Sequence, residues 1–379
     1  MKRTKQKYNF FHRLLFIINI ILLSLLIFSY VAPYIPPKCF LLVAFLGLAY
    51  PYLLIANLLF IIIWILLHRY IFLYSLIAIL IGFNHIGKFI QFKCNLFESE
   101  KQLPPNNSTN IKILSFNVRL FDYYKQNKNN PNTRTDIFKF IEKEKPDIAC
   151  FQEYLSFNYA GNKFVNTDSI MKINGLKYHS SYEIKKDNKT IKEMYVATFS
   201  RFPIINKGLI PLDNKKKYKC NYVDIKIYNK IIRIYNVHLE SIRFGKEDYE
   251  FIEDIDEQSN QNKIKRIYNI ISKIGKAYLK RNEEVNILRQ ELENCPYPYI
   301  ICGDFNDTPI SYTYNQISKN LYDGFVESGC GIANTYVGSF PSFKIDYIMY
   351  SKKFNSKKFN IYKKIRLSDH YPISIEIII

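Results

Sequence analysis

The hydrophobic and polar positions divide the chain into two unlike parts. From Leu14 to about Phe92 nearly every residue is apolar, whereas after Cys94 charged residues recur every few positions. The first part contains three apolar runs: 14–34, Phe40–Leu67 and Tyr70–Phe83. Since about 20 apolar residues suffice to cross a bilayer, residues 1–94 are predicted to form a membrane anchor of two or three transmembrane helices.

The basic residues predict how this anchor is oriented. The residues before and at the start of the first run should stay in the cytoplasm, because they include Lys2, Arg3, Lys5, Lys7 and Arg13. Three spans would then place the polar domain outside, which we expect, and two spans would place it in the cytoplasm. The seven cysteines form no CxxC pair and no obvious disulfide framework, which favours the reducing side and argues against a structural zinc site.

The polar part begins with a predicted linker, residues 95–110, and continues as one domain, 111–379. Short runs rich in β-branched residues predict eight strands: Ile111–Phe116, Ile148–Phe151, Tyr195–Phe199, Tyr222–Ile227, Ile231–Val237, Tyr299–Cys302, Ile345–Tyr350 and Ile373–Ile378. Thr135–Lys143 has the apolar stripe of a helix. Strands interleaved with helices indicate a layered α/β or α+β domain.

A highly charged insertion, residues 246–294, interrupts two of these strands. Ile264, Ile267, Ile271 and Ile274 recur in it at helical spacing. It is interpreted as a solvated helical cap, and the alternative is a lid or a surface that faces substrate or membrane.

Polar side chains stand where the predicted strands begin or end. They offer carboxylates, amides and imidazoles, with no cysteine among them: Asn117, Glu153, His238, Asp304, Asn306, Asp346, Asp369 and His370. Hard ligands of this kind suit Mg²⁺ or Mn²⁺ better than Zn²⁺. Each residue alone is weak evidence for a site, because a Gly-Asp pair, for example, is often a plain turn. The prediction therefore depends on the whole ordered set.

The segments around these residues resemble, in order, the motifs of the endonuclease/exonuclease/phosphatase superfamily and its membrane-bound bacterial branch. The six segments are Ser115–Arg119, Cys150–Glu153, Asn236–Glu240, Gly303–Asp307, Ile345–Tyr347 and Ser368–His370. The resemblance covers roughly residues 111–379. It implies an α+β fold, a four-layer α/β/β/α sandwich with two mixed β-sheets behind a transmembrane helical anchor. It also implies metal-assisted hydrolysis of a phosphoester bond by water.

The resemblance further implies the residues that bind the cofactor, which is expected to be Mg²⁺ with Mn²⁺ as the alternative. Glu153 is expected to be the main metal ligand. Asn117 is expected to help position the metal and the phosphate, and Asp369 to be a further metal or electrostatic contact.

The remaining matches imply catalytic roles. Asp304 is expected to orient or deprotonate the attacking water, and Asn306 to hold that water and a phosphate oxygen. His370 resembles the catalytic imidazole, oriented by Asp346. His238 resembles the second imidazole, which contacts the phosphate or the leaving group.

Two weaker matches bear on substrate binding. Arg119 stands where repair endonucleases of this superfamily carry an acidic residue, and the Asn-x-Arg form looks more like secreted deoxyribonucleases. Glu193 resembles a carboxylate that orients the first histidine, here His238, and its alternative interpretation is an exposed strand residue.

Three functions are compatible with this sequence. The first is a metal-dependent endonuclease or phosphodiesterase, favoured by Arg119 and by a net charge of +20, which suits a polyanionic partner but also follows from a biased amino-acid composition. The second is a phospholipid or sphingolipid phosphodiesterase or phosphatase, because the anchor holds the site near lipid head groups. The third is a non-catalytic membrane binding module. No protein partner is inferable.

Overall fold

The computed structural model describes residues 10–92 and 109–379, with gaps at 126, 128–129, 160–161, 174, 187–188, 213–218, 254–259 and 339–341. The predicted linker and the basic arm before Arg13 therefore lie almost entirely outside the described residues. The chain divides into two units, Met1–Gly87 with Ile310–Asn315, and Lys88–Pro309 with Gln316–Ile379. The division falls a few residues before the boundary expected at residue 94.

The N-terminal segment of the first unit contains four helices: α1 (Phe10–Ser29), α2 (Leu41–Leu66), α3 (Phe72–Ile81) and α4 (Phe83–Ile86). Among the described residues, α1 and α2 are the two helices long and apolar enough to cross a membrane. Only 11% and 28% of their most apolar windows are buried, so their side chains are not those of a protein core. With 10 residues, α3 is too short to span a bilayer alone.

A buried chain of polar side chains joins the three longer helices of this unit. The amide of Asn19 donates to Ser75 Oγ at 2.8 Å and accepts from Trp64 Nε1 at 2.9 Å. The Ser75 hydroxyl in turn donates to Asn57 Oδ1 at 3.0 Å. Between apolar helices such bonds fix the helix register, because an unpaired polar group there is costly.

The strands belong to the second unit and are, in chain order, β1 (Ile90–Gln91), β2 (Asn110–Asn117), β3 (Ile148–Tyr159), β4 (Asn162–Phe164), β5 (Tyr178–Lys186), β6 (Lys189–Ser200), β7 (Ile204–Ile210), β8 (Cys220–Ile227), β9 (Lys230–His238), β10 (Tyr299–Asp304), β11 (Leu321–Asp323), β12 (Gly331–Ile332), β13 (Asp346–Ser351), β14 (Asn355–Ile361) and β15 (Ile373–Ile378). The other helices are α5 (Thr133–Glu144), α6 (Thr167–Met171), α7 (Lys246–Glu253), α8 (Asn260–Glu293), α9 (Tyr312–Ile317) and α10 (Gly324–Ser328). All eight predicted strands are confirmed.

Two mixed sheets organise the second unit. One has six strands in the order β11-β13-β10-β9-β8-β7, and the other has seven, in the order β14-β15-β2-β3-β6-β5 with β4 beside β3. Each contains one parallel pair, β9 with β10 and β2 with β3. The remaining pairs are antiparallel. This confirms the predicted α+β fold with two mixed sheets.

The core between the sheets is built from their alternate apolar residues. Ile113 of β2 and Ile375 of β15 share one buried cluster with Ile234 of β9 and Ile348 of β13. A second cluster packs α5 against the outer face of the seven-stranded sheet. On α8, Val285 and Leu288 are fully buried. The order of layers is therefore helix, sheet, sheet, helix.

A polar network crosses the core directly below the ends of the central strands. Gln152 Nε2 of one sheet donates to Asn236 Oδ1 of the other at 2.7 Å and to Ser115 Oγ at 3.2 Å. The Asn236 amide donates to two carbonyls and to Thr198 Oγ1 of the seven-stranded sheet. Such buried bonds allow little sliding between the sheets, so the strand ends are held in register.

The cysteines differ in part from the expectation. Cys330 is disulfide-bonded, whereas Cys39, Cys150, Cys220, Cys295 and Cys302 are free. The expectation of unpaired cysteines is therefore wrong at Cys330.

Candidate active site

The strand ends bring the predicted residues to one edge of the two sheets. Parallel pairing of β9 with β10 places the last residue of each strand, His238 and Asp304, opposite one another. Asp346 opens β13 and is the cross-strand partner of Asp304. Parallel pairing of β2 with β3 likewise sets Asn117 beside Gln152. Residues far apart in sequence therefore converge because of the sheet register.

A glycine makes the central strand pair possible. Gly303 has φ of +139°, and a Cβ atom there would lie 1.9 Å from the carbonyl oxygen of Val237. Any side chain would push β9 away from β10. The glycine before Asp304 is therefore a requirement of the backbone and not a plain turn.

Asp304 lies at the centre of the cluster and is buried. Its Oδ2 atom is 3.7 Å from Nε2 of His238 and 3.7 Å from Nε2 of His370. It accepts a hydrogen bond from Asn117 Nδ2 at 3.2 Å, while its Oδ1 accepts from the backbone N–H of Asn306 at 2.8 Å. Burial, aided by the charge of Asp346, raises the pKa of Asp304 to about 6.

His370 and Asp346 form a buried pair. Nδ1 of His370 and Oδ2 of Asp346 are 2.9 Å apart. The Thr335 hydroxyl accepts the backbone N–H of Asp346 at 3.1 Å, and the ring of Tyr336 meets the His370 ring edge-on at 5.2 Å. Burial alone would lower the pKa of His370, but the carboxylates of Asp346 and Asp304 raise it well above 6.5. His370 is therefore charged near neutral pH.

The surroundings of His238 favour the neutral imidazole instead. Burial lowers its pKa, and the attraction of Asp304 offsets this only in part. Its Nε2 atom is also 4.0 Å from Oε1 of Glu153. The two imidazoles of the site therefore differ in charge, with His238 neutral where His370 is protonated.

Glu153 owes its position to a bulge. The predicted strand was expected to end near this residue, but β3 continues to Tyr159, with a register shift between Gln152 and Tyr154. Glu153 has φ of +48°, and such a bulge redirects a side chain. Its Oε1 atom lies 3.4 Å from Nδ2 of Asn117. Burial, then the charge of Asp369, raises the pKa of Glu153.

An open cleft of about 210 Å³ adjoins this carboxylate, lined by Arg119, Leu120, Asp122, Tyr124, Glu153 and Asp369. Nε of Arg119 lies 3.7 Å from Oδ2 of Asp369. The four residues Arg119–Asp122 all have positive φ, between 44° and 55°. Such left-handed backbone costs about 1–2 kcal/mol per residue, and strain of this kind concentrates at functional sites.

The residues fit the divalent cation that the resemblance implies. Glu153 and Asp369 present two carboxylates to the same open cleft, next to the group of Asp304, Asp346 and His370, whose polar atoms lie within 4.8 Å of one another. The pKa values of Asp304 and Glu153 are both raised, so a bound cation would stabilise the charged form of each carboxylate. Asn117 turns its Nδ2 atom towards both carboxylates, so holding a cation would require its amide to flip and present Oδ1.

Glu193 lies elsewhere than the weaker match implied. Its carboxylate accepts a hydrogen bond from Thr167 and lies 3.3 Å from Nε2 of His179. Together with Glu183, His179 and Glu193 form a second group whose potential ligand atoms lie within 4.8 Å. The structure therefore brings Glu193 together with His179, while the recorded carboxylate neighbours of His238 are Glu153 and Asp304.

A buried ionic network, which the sequence does not indicate, connects α8 to the site. Arg281 Nη1 donates to the carbonyl of Glu240 at 2.8 Å, and its Nε is 3.4 Å from Oδ2 of Asp307. Glu284 accepts the backbone N–H of Glu240 at 2.6 Å and pairs with Lys219 at 3.1 Å. Glu240 follows His238 by two residues, and Asp307 follows Asn306. The buried face of the charged insertion therefore anchors two loops of the site.

The comparisons with known proteins place this site in a family. The endonuclease/exonuclease/phosphatase family model matches residues 114–370, which include the whole cluster. The chain belongs to this family. A second family model, described as a domain of unknown function, matches residues 12–89. No curated protein matches in sequence.

Several solved structures are similar to this chain at low sequence identity. A functionally unknown conserved protein from Enterococcus faecalis V583 has a TM-score of 0.50 at 16% identity, covering 70% of this chain and 99% of its own. A family member from Bacteroides vulgatus scores 0.49 at 19% identity, covering 71% and 98%. A mannosyl-6-phosphatase from Bacteroides thetaiotaomicron VPI-5482 scores 0.48 at 18% identity, covering 71% and 100%.

The Arg281→Gln variant should lose catalytic efficiency and stability together. Buried Asp307 would lose its cationic partner, which typically costs about 3–5 kcal/mol. The loops of His238 and Asn306 would shift, lowering kcat about 10- to 100-fold. Thermal unfolding and steady-state kinetics below the unfolding range measure both. Arg289→Gln, on the same helix with a half-exposed side chain, is the control. A destabilised variant with unchanged kcat would show that the network is structural alone.

The metal-free protein should lose stability through His370 as the pH rises above 6.5. The raised pKa of His370 means that the folded state keeps a proton that the unfolded state releases. The stabilisation is complete below the pKa that His370 has in the unfolded state. It is lost as the pH rises through the higher pKa that His370 has in the folded state. Urea unfolding in EDTA at pH 6 and pH 8, for the wild type and His370→Gln, measures this. Equal pH dependence in the two proteins would contradict it.

Proposed function

We propose that this chain is a membrane-anchored hydrolase of phosphoester bonds that depends on a divalent metal, with an endonuclease or phosphodiesterase activity. The observation that carries the proposal is the buried Asp346–His370 pair, whose Nε2 atom on His370 lies 3.7 Å from the carboxylate of Asp304. The pair holds an imidazolium beside a carboxylate whose pKa lies near neutrality. A proton donor and a proton acceptor are thereby placed together.

Glu153, Asn117 and Asp369 are the residues that would hold the cation, Mg²⁺ in this proposal, with Mn²⁺ as the alternative. A bound divalent cation would neutralise charge on the phosphate oxygens. Glu153 and Asp369 both line the open cleft, so a phosphate entering it would meet these carboxylates first. Their mutual repulsion makes the cleft favourable for a cation.

The chain's own residues divide the proton chemistry. Asp304 orients the attacking water and accepts its proton at a carboxylate oxygen, which a pKa of about 6 allows near neutral pH. Asn306 donates its Nδ2 to the carbonyl of Leu239, which leaves Oδ1 to hold the water. Protonated His370, fixed in orientation by Asp346, donates to a phosphate oxygen, where it stabilises the growing negative charge. Neutral His238 contacts the phosphate or the leaving oxygen.

The substrate proposal favours a nucleic acid. Arg119 lines the cleft beside Asp369, and the chain carries a net charge of +20. Nucleic-acid binding of this kind weakens steeply with salt. The alternative, a phosphorylated lipid head group, is supported by the two helices suited to a bilayer.

A direct comparison of substrates tests this choice. Full-length protein in detergent, with Mg²⁺, would be given a single-stranded oligonucleotide, plasmid DNA and mixed phospholipid vesicles. Oligonucleotide or plasmid cleavage that falls with salt supports the nuclease. Release of phosphate or a phosphorylated head group from vesicles, with intact nucleic acid, would support the lipid substrate instead.

We further propose that the catalytic domain lies outside the cytoplasm. The disulfide at Cys330 supports an oxidising compartment. Two long helices alone would return the chain to the cytoplasm, so this side requires the apolar segment around α3 to complete a third crossing. Fusing alkaline phosphatase to the C-terminus should give an active reporter, and an inactive one would place the domain in the cytoplasm.

A further inference from the structure

The first turns of α8 carry a stripe of apolar side chains that the domain does not bury. Ile264, Ile267, Tyr268 and Ile271 follow one another at helical spacing and are 71%, 46%, 70% and 48% exposed. From Ile274 onward the helix packs into the domain, with Ile274 only 6% exposed. Scattered apolar residues are ordinary on a surface, but a contiguous stripe indicates a binding surface. We name these four residues the α8 stripe.

The charged residues that α8 itself carries along the stripe are all basic. Between Asn260 and Asn282 the sequence of α8 contains no acidic residue and seven basic ones: Lys263, Lys265, Arg266, Lys273, Lys276, Lys280 and Arg281. Some are engaged within the domain, since Lys273 pairs with Asp248 of α7 and Lys280 with Glu240. Lys265 and Lys276 are exposed. The flanks of the stripe therefore remain basic despite the acidic residues of α7.

We propose that the α8 stripe lies in the interface of a lipid bilayer, with Lys265 and Lys276 directed at anionic head groups. A helix with an apolar face flanked by basic residues is the form of an interfacial membrane helix. A nucleic acid would use the cations but gains little from three isoleucines. The surface would hold the domain against the membrane. This inference rests on the membrane anchor proposed above, but it is independent of the catalysis.

Depth-dependent fluorescence in the full-length protein tests this docking. The Tyr268→Trp protein is assembled into nanodiscs of zwitterionic lipid, with or without anionic lipid, in ordinary or brominated form. Tyr228→Trp is the matched control, because Tyr228 is 76% exposed in the turn between β8 and β9. The parent protein, whose single tryptophan is Trp64, supplies the background to subtract. Neither position belongs to the catalytic cluster.

The emission of the Tyr268→Trp indole should be blue-shifted and quenched by brominated lipid, more strongly when anionic lipid is present. The emission of the Tyr228→Trp indole should be neither shifted nor quenched. Adding Lys265→Gln and Lys276→Gln should weaken docking on anionic discs about fivefold per charge removed. An indole at Tyr268→Trp that responds no more than the control overturns the proposal. A blue shift without lipid quenching would overturn the proposal and indicate that a second copy of the chain covers the stripe. A response to an oligonucleotide alone would overturn it and indicate a nucleic acid.

Discussion

The His370→Gln variant should lose about 10²- to 10⁴-fold of the kcat for phosphoester hydrolysis, because it removes a positioned donor to the phosphate. The side chain of His370 is buried against Asp346 and Asp304, so glutamine keeps the bulk but loses the positive charge. KM should change little, since the charge acts on the transition state more than on bound substrate. Steady-state kinetics with bis(p-nitrophenyl) phosphate and an oligonucleotide measure both constants.

The controls for this variant come from the chain itself. Asp346→Asn should lower kcat less and shift the pH profile, because it acts through the orientation and charge of His370. His179→Gln removes a histidine that also has a carboxylate neighbour, Glu193, and should keep its activity. If His370→Gln hydrolyses either substrate at the wild-type rate, the assigned role of the pair is wrong.

The Glu153→Gln variant should need at least about tenfold more Mg²⁺ for half-maximal activity and should have a lower kcat at saturation. Even residues that only support metal ligands typically cost 10- to 100-fold in metal affinity, and Glu153 is proposed to be a ligand itself. Burial and Asp369 already disfavour its charged form, so a neutral amide removes the group that gains most from a cation. Activity titrated with Mg²⁺ measures the effect.

Glu153→Gln also has a distinct stability readout. Because a like charge is removed from a crowded cluster, the metal-free variant should be at least as stable as the wild type, while Mg²⁺ should raise its Tm less. Glu247→Gln, on exposed surface of α7, is the matched control. An unchanged Mg²⁺ requirement with an unchanged Mg²⁺ effect on Tm would place the metal elsewhere.

The central strands could be predicted from the sequence because a strand that is buried on both faces is apolar at nearly every position. Ile111–Phe116 and Tyr299–Cys302 are nearly continuous apolar runs, and both fall inside observed strands. The edge strands were missed because they lack such a continuous apolar run. β5 and β14 each have a partner on one side only, and the segment Asn355–Ile361 is half lysine and asparagine. Edge strands carry such residues because their open side meets water.

The candidate site was predictable only at the level of residue types. The order of the motifs indicated Asp304, His370 and Asp346, and the sheet register does bring them together. The left-handed bulge at Glu153 could not be predicted, because it depends on the pairing of β3 with β6. Glu193 was assigned to His238 from its local sequence, yet the tertiary packing sets it beside His179.

The buried network of α8 could not be predicted for a related reason. Arg281 and Glu284 belong to a charged stretch that resembles a solvated helix, and charged residues are almost never fully buried unless they are paired. Their partners, Asp307 and Lys219, lie in distant loops. The isoleucines at helical spacing did indicate a helix, and the structure leaves three of them exposed.

Hydrolysis of bis(p-nitrophenyl) phosphate by the full-length protein, with and without Mg²⁺, is the most direct test of the proposed chemistry. The proposal predicts turnover that EDTA abolishes, that Mg²⁺ or Mn²⁺ restores, and that both His370→Gln and Glu153→Gln lose. Turnover that survives EDTA and both substitutions would contradict it. So would a folded, metal-loaded protein that hydrolyses neither this substrate nor any other phosphoester offered.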